Sequence, residues 1–85
     1  METLKTTAIG EGVYTTEALP TGRYQVQVIG NGTVAVYESV DGVTFSRGRR
    51  FSVVGSACWM LELPSGGAFY LRFEGDEPII KYITD

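Results

Sequence analysis

The chain has 85 residues, 44% hydrophobic and 20% charged, which is a globular composition with room for a single domain over residues 1–85. Its net charge of −3 argues against a general binder of phosphate backbones, so no nucleic acid is expected as a partner. The lone Cys58 excludes an intramolecular disulfide, and we interpret it as a small apolar filler. The sequence begins without a secretory pattern and has no apolar run near the ~20 residues of a membrane span, which predicts synthesis in a cytosol and no membrane partner.

Glycines and prolines interrupt the chain at short intervals, and the segments between them are rich in β-branched and aromatic residues. This pattern predicts strands and turns, with helix nearly absent. In chain order, the predicted strands are 12–18, 23–28, 33–39, 43–46, 50–54, 57–63, 68–73 and 79–84. In the clearest strand Tyr24, Val26 and Val28 alternate with polar residues, so we expect one buried face and one wet face.

The turns are predicted from residues that tolerate positive φ. A tight hairpin is expected at residues 30–32, a second hairpin at 41–42, and further reversals at 66–67 and 75–76. Pro78 lacks an amide hydrogen, so it is expected at a strand start or a sheet edge.

An internal repeat organises these elements. A leucine-proline-x-glycine motif, a strand, a glycine turn and a second strand occur at residues 19–37 and again at 63–82. This repeat predicts two similar halves, about 13–45 and 57–84, that pack face to face. The predicted fold is all-β, an antiparallel, jelly-roll-like β-sandwich of about eight strands.

The residue types exclude most catalytic chemistry. The chain has no histidine, one cysteine and one asparagine, so it lacks the usual general base and the commonest metal ligand. We predict no catalytic, cofactor-binding or metal site and no enzyme activity. Glu74, Asp76 and Glu77 could in principle serve glycoside hydrolysis, but a solvated turn beside Gly75 is the preferred interpretation.

Six residues are candidates for an interaction surface: Arg47, Arg49, Arg50, Trp59, Tyr70 and Tyr14. The arginines form a basic block that could dock on an acidic patch, with a polar hairpin loop as the alternative. Trp59 is interpreted as a core residue, with a stacking or interface role as the alternative. Tyr70 and Tyr14 are predicted to be exposed aromatics, because the residues that alternate with them indicate an outward face.

Several motifs resemble those of small β-sandwich virion proteins of tailed bacteriophages. They are Leu19-Pro20-Thr21-Gly22-Arg23-Tyr24, the glycines of residues 30–32, Ser39-x-Asp41-Gly42-x-x-Phe45, and Leu63-Pro64-Ser65-Gly66. The resemblance covers roughly residues 13–83 and implies a head-decoration or cement protein, or a piece of a head or tail fibre. It also implies a homo-oligomer on a capsid or tail protein, located in the virion after synthesis in the host cytoplasm. No coiled-coil or low-complexity shaft is present, which favours decoration.

Two other functions are compatible with these residues. A carbohydrate- or receptor-binding module would use Trp59, Tyr70 or Tyr14 as stacking platforms. A small phage inhibitor of a host protein would use the same compact acidic fold as a decoy.

Overall fold

The computed structural model describes residues 2–84, apart from the side chain of Pro64, and within this range the chain forms six strands and no helix. The strands are β1 (Glu2–Leu4), β2 (Thr6–Gly10), β3 (Val13–Thr16), β4 (Leu19–Ser39), β5 (Ser46–Gly75) and β6 (Ile79–Thr84). Strands account for 83% of the residues, which confirms the all-β class. β1 and β2 were not predicted, because their short sequences carry no turn signal between them.

The six strands form one antiparallel sheet in the order β1-β6-β4-β5-β3-β2, nearly closed into a barrel. Most of the chain is a long two-stranded ribbon whose tip is the loop at residues 40–45. Along the ribbon, residues 2–4 pair with 80–82, 13–15 with 72–74, 22–31 with 54–63, and 32–38 with 46–53. The ribbon also rolls up on itself, since β4 pairs through its other edge with residues 68–75 and with β6. These pairings support the antiparallel all-β class and not specifically a jelly-roll sandwich.

Three of the four predicted reversals are wrong, and only the hairpin at 41–42 is confirmed. At residues 30–32 and 75–76 the chain bends and then continues along the same neighbouring strand. At 66–67 it continues past a register shift, from the Gly22 to Leu63 pair to the Pro20 to Ala68 pair. Glycines in such places let a strand bend without ending. The glycines therefore identify positions where the backbone can bend. Whether the chain reverses there depends on the strand with which it pairs.

Other boundaries also differ from the prediction. Residues 40–45, which include most of the predicted strand 43–46, form the loop at the ribbon tip. The predicted strands 50–54, 57–63 and 68–73 are stretches of the single long β5. Pro78 lies immediately before the first residue of β6, as expected.

Gly32 and Gly75 lie opposite each other where the register of β4 shifts. Their φ values are 158° and 144°, which side chains disfavour. A Cβ added at Gly32 would collide with the carbonyl oxygen of Glu74 and lie 2.9 Å from the Phe73 ring. A Cβ at Gly75 would meet the Gly32 Cα at 2.8 Å. The two paired backbones can therefore approach this closely only because both residues are glycine.

The bends divide the sheet into two halves, and the repeat copies exchange strands between them. The first strand of copy one pairs with the second strand of copy two, 24–29 with 79–84, and the converse pairing joins 32–39 to 68–75. Tyr24 and Phe69, which hold equivalent positions in the two copies, meet edge to face across the core with ring centroids 5.1 Å apart. Each half of the sheet therefore contains one strand from each copy, so the two copies are interleaved.

The core lies between the two halves of the sheet. Its buried members alternate along the strands: Leu4, Leu19, Tyr24, Val26, Val28, Val34, Val36, Val53, Leu61, Leu63, Phe69, Leu71, Phe73 and Ile80. The alternation predicted for residues 23–28 and 68–73 is confirmed. The Tyr24 hydroxyl donates to the Pro20 carbonyl at 2.7 Å. The Tyr24 ring is therefore buried while its polar group keeps a hydrogen-bond partner.

Gly32→Ala is expected to lower the free energy of unfolding by about 2–5 kcal/mol, because the new methyl group collides with the carbonyl oxygen of Glu74 on the paired strand. Urea unfolding followed by Trp59 fluorescence measures the change. Gly10→Ala is the matched control, since its added Cβ would have its nearest contact at 4.0 Å and its φ is ordinary. Equal stabilities for the two variants would contradict the close backbone approach described for Gly32 and Gly75.

Thr16→Val is expected to cost about 1–3 kcal/mol, because it removes the acceptor of a buried amide. The Leu71 amide donates to Thr16 Oγ1 at 3.0 Å where β3 leaves the ladder, and Val has the same shape but no hydroxyl. Thr15→Val on the outer face should change stability by less than about 0.5 kcal/mol. Equilibrium unfolding of both variants tests the difference, and an unaffected Thr16→Val protein would show that the side-chain acceptor is dispensable.

Candidate interaction surface

The strongest cluster of functional side chains lies on the outer surface of the second half of the sheet. We call it the arginine–tyrosine face and define it by Thr33, Ala35, Tyr37, Phe45, Arg47, Arg50, Tyr70, Arg72 and Glu74. Most of these residues line one shallow depression. The face is built from three adjacent stretches, the second part of β4 flanked by both ends of β5.

Strand register explains why the arginines meet. Ala35 pairs with Arg50 on one side and with Arg72 on the other, so a small residue separates two guanidinium groups. Tyr37 pairs with Arg47 in the next row. Arg47 and Arg50 are three residues apart and would point to opposite faces of a regular strand, but a register shift between their rows places both on this face.

The charges on the face are largely uncompensated. The Arg72 Nε atom is buried and makes no hydrogen bond, with Glu74 Oε1 at 3.6 Å as its ion-pair partner. Arg47 and Arg50 are exposed, and neither forms an ion pair with any residue in the range 2–84. Three of the seven basic residues and one of the ten acidic residues lie here, which leaves four basic against nine acidic residues elsewhere. The face is a positive patch on a negative protein.

Aromatic rings form the base beside the arginines. Tyr37 and Tyr70 stack in parallel, with centroids 4.8 Å apart and an interplanar angle of 4°. Phe45 lies against Tyr70 at 5.1 Å. Tyr70 is therefore half-buried between two rings, whereas the sequence predicted an exposed ring. The sequence prediction missed Tyr37, Phe45 and Arg72, which come from three separate segments and have no shared local pattern.

The other predicted site residues lie elsewhere. Arg49 is exposed, and its Nη2 donates to the Met60 carbonyl at 3.4 Å. Trp59 is half-buried against the core, edge to face with Phe51 at 4.7 Å, in agreement with its interpretation as a core residue. Tyr14 also packs against the core, so its prediction as an exposed aromatic is wrong.

Tyr14 faces inward because it pairs with the buried Phe73. Thr16, two residues further along β3, lies on the same face and is polar, which suggested that this face is exposed. Thr16 is in fact buried, and its Oγ1 accepts a hydrogen bond from the Leu71 amide. Cys58 differs in the opposite sense. It is an exposed free thiol on the outer surface, where the Gln25 side-chain amide donates to Sγ at 3.6 Å, so its interpretation as an apolar filler is wrong.

The ribbon-tip loop beside this face is held by side-chain to backbone hydrogen bonds. The Asp41 carboxylate accepts from the Val43 and Thr44 amides at 2.8 and 2.9 Å and from the Ser39 hydroxyl at 2.7 Å. These bonds lower the pKa of Asp41 to about 2, the Thr44 amide being the largest cause. Val40 and Val43 are 80% and 79% exposed, so a fixed loop presents two apolar side chains.

The predicted acidic turn is solvated. Asp76 and Glu77 are exposed at the bend before β6, and the Gly75 amide donates to the Gly12 carbonyl at 2.8 Å, which brings the turn containing Glu11 alongside. Within residues 2–84 no group of three or more histidine, cysteine or acidic side chains is arranged to hold a metal ion. We call Glu11, Asp76 and Glu77 the acidic turns.

Comparison of the chain with protein-family models, with curated proteins and with solved structures finds no match. In the described part of the chain there is no helix that has the length and apolar character to span a membrane.

Asp41→Asn is expected to destabilise the protein at pH 7, with a difference from the native chain that disappears in acid. The pKa in the folded state is about 2, below the ordinary value of 3.8. The stabilisation is therefore complete above about pH 4 and is lost as the pH falls toward 2. Unfolding free energies measured from pH 7 to pH 2 test this, with Glu77→Gln as the control for lost charge. A constant difference between Asp41→Asn and the native chain across this range would contradict the assignment.

Proposed function

We propose that this chain is a non-enzymatic structural protein of a phage virion, a capsid decoration or cement protein that binds itself and the capsid surface. The observation that carries the proposal is the arginine–tyrosine face, on which Arg47 and Arg50 stand uncompensated beside stacked rings. Arginine and tyrosine are enriched at protein interfaces, where they supply most of the binding energy. Stacking holds Tyr37 and Tyr70 in place before any partner arrives, so less conformational entropy is lost on binding.

A free sheet edge supports binding to a large surface. Within residues 2–84, the stretch 46–63 of β5 pairs with β4 along one edge and has no partner strand along the other. Unpaired backbone groups on such an edge give directional hydrogen bonds to a neighbouring chain. The exposed Val40 and Val43 in the ribbon-tip loop add apolar area.

We propose a jelly-roll-like arrangement as the finer description of the fold. A jelly roll is a long antiparallel ribbon rolled up so that its first and last strands pair. Here residues 2–4 pair with 80–82, and successive segments pair inward to the loop at 40–45. Jelly rolls are frequent in viral capsid proteins, so this fold-level analogy agrees with the virion resemblance of the sequence.

The contacts favour this function over a carbohydrate-binding module. A sugar platform needs an exposed ring face, whereas Trp59 and Tyr14 pack against the core and Tyr70 lies between Tyr37 and Phe45. A small inhibitor of a host protein could use the same arginines, and its partner would be one soluble protein instead of a particle.

The chain is expected in purified virions of the phage that encodes it, in tens to hundreds of copies, as quantified by mass spectrometry. Particles made without it should bind the purified protein back to saturation in a sedimentation assay. Arg47→Ala with Arg50→Ala should weaken that binding roughly tenfold or more, because interface arginines are frequent hot spots. Lys5→Ala with Lys81→Ala is the matched control for lost positive charge, since both residues lie outside the face and outside the free edge of β5.

Absence of the chain from particles, together with failure to bind them back, would contradict the proposal. Capture of a single host protein in equal amount would then support the inhibitor, and a tyrosine fluorescence change with sugars would support the carbohydrate module.

A further inference from the structure

We propose that the arginine–tyrosine face binds the acidic turns of a second copy of this chain, in a head-to-tail contact. The inference rests on the self-binding part of the proposed function and names the two surfaces that meet. It assigns Arg47, Arg50 and Arg72 to one side of the contact, and Glu11, Asp76 and Glu77 to the other.

Both surfaces carry charge that the single chain leaves uncompensated. Glu11, Asp76 and Glu77 are exposed, and none of them forms an ion pair within residues 2–84. They lie side by side because the backbone bond from Gly75 to Gly12 joins their turns. The arginine–tyrosine face has three guanidinium groups and one carboxylate, so the two surfaces are complementary in sign.

The two surfaces are close in the chain but separate. On β4 the arginine row at Ala35 and the Gly32 to Gly75 pair beside the acidic turns are three residues apart, roughly 10 Å at the rise of a strand. At that separation exposed charges are largely screened by physiological salt, so the chain does not neutralise itself. A neighbouring copy can bring carboxylates to hydrogen-bonding distance of the guanidinium groups.

Charge disfavours a two-fold contact that is centred on the arginine–tyrosine face. A two-fold contact through the arginine–tyrosine face would oppose Arg47 and Arg50 to their own copies, and like charges across an interface are unfavourable. A head-to-tail contact avoids this, since each copy offers one face of each sign. Such heterologous contacts close into rings when the rotation between copies allows it, and rings suit attachment to a symmetric capsid.

A nucleic acid would also complement the arginines, but the nine acidic residues outside the face oppose an extended phosphate backbone. A second copy of the chain avoids that repulsion because it brings only local negative charge. Sedimentation of the purified chain distinguishes a second copy of the chain from a nucleic acid as the partner.

Sedimentation velocity of the purified full chain tests the inference with paired charge reversals. The native chain should associate at low salt and dissociate as salt is raised. Arg47→Glu with Arg50→Glu should weaken association roughly a hundredfold or more, and Asp76→Lys with Glu77→Lys should do the same. An equimolar mixture of the two variants should recover the native mass, because each supplies the surface that complements the other.

Lys5→Glu with Lys81→Glu is the matched control for the arginine reversal, since it changes the net charge by the same amount outside both surfaces and outside the free edge of β5, and it should leave association intact. Circular dichroism checks that every variant is folded. Association that survives both reversals, or variants that do not rescue each other, would overturn the head-to-tail contact and leave virion binding unaffected. A native chain that stays monomeric but binds single-stranded nucleic acid through the arginines would overturn it as well. Virion binding is measured separately, so the two failures can be told apart.

Discussion

The structure depends on one steric constraint, the close approach of two paired backbones at Gly32 and Gly75. β4 and the stretch from β5 into β6 each run through both halves of the sheet, and each must bend where they are paired. Only residues without a Cβ allow the two backbones to approach as closely as they do. Because the strands bend there without ending, one ribbon covers both sides of the core, and a chain of 85 residues can enclose large buried side chains.

The bent ribbon gives the internal repeat a physical meaning. Each copy contributes one strand to each half of the sheet, so neither copy can form a complete half without the other. The contact between Tyr24 and Phe69 joins equivalent positions across the core. Interleaving of this kind makes most stabilising contacts long-range in sequence, which favours cooperative folding of the whole chain and slows the search for the correct pairing.

The same pairing that forms the core also creates the outer face. With Ala35 in the centre of a row, a buried small side chain leaves room for Arg50 and Arg72 on either side. The register shift then adds Arg47, and the stacked pair of Tyr37 and Tyr70 forms the adjoining base. The result is a surface with fixed aromatic rings, on which the guanidinium groups of Arg47 and Arg50 have no ion-pair partner within residues 2–84.

The sequence by itself determined the all-β class, the alternation of residues 23–28 and 68–73, the hairpin at 41–42 and the existence of the repeat. These features follow from local chemistry, the period of two along a strand and the backbone freedom of glycine. Only the tertiary structure decided that the glycines at 30–32, 66–67 and 75–76 bend the chain without reversing it, because a strand continues where a neighbour is available to pair with it.

The tertiary structure likewise separated Arg49 and Tyr14 from the face, exposed Cys58, and brought in Arg72 from a distant segment. Which side of a sheet a residue occupies depends on register, and register is set by pairing between segments far apart in the chain.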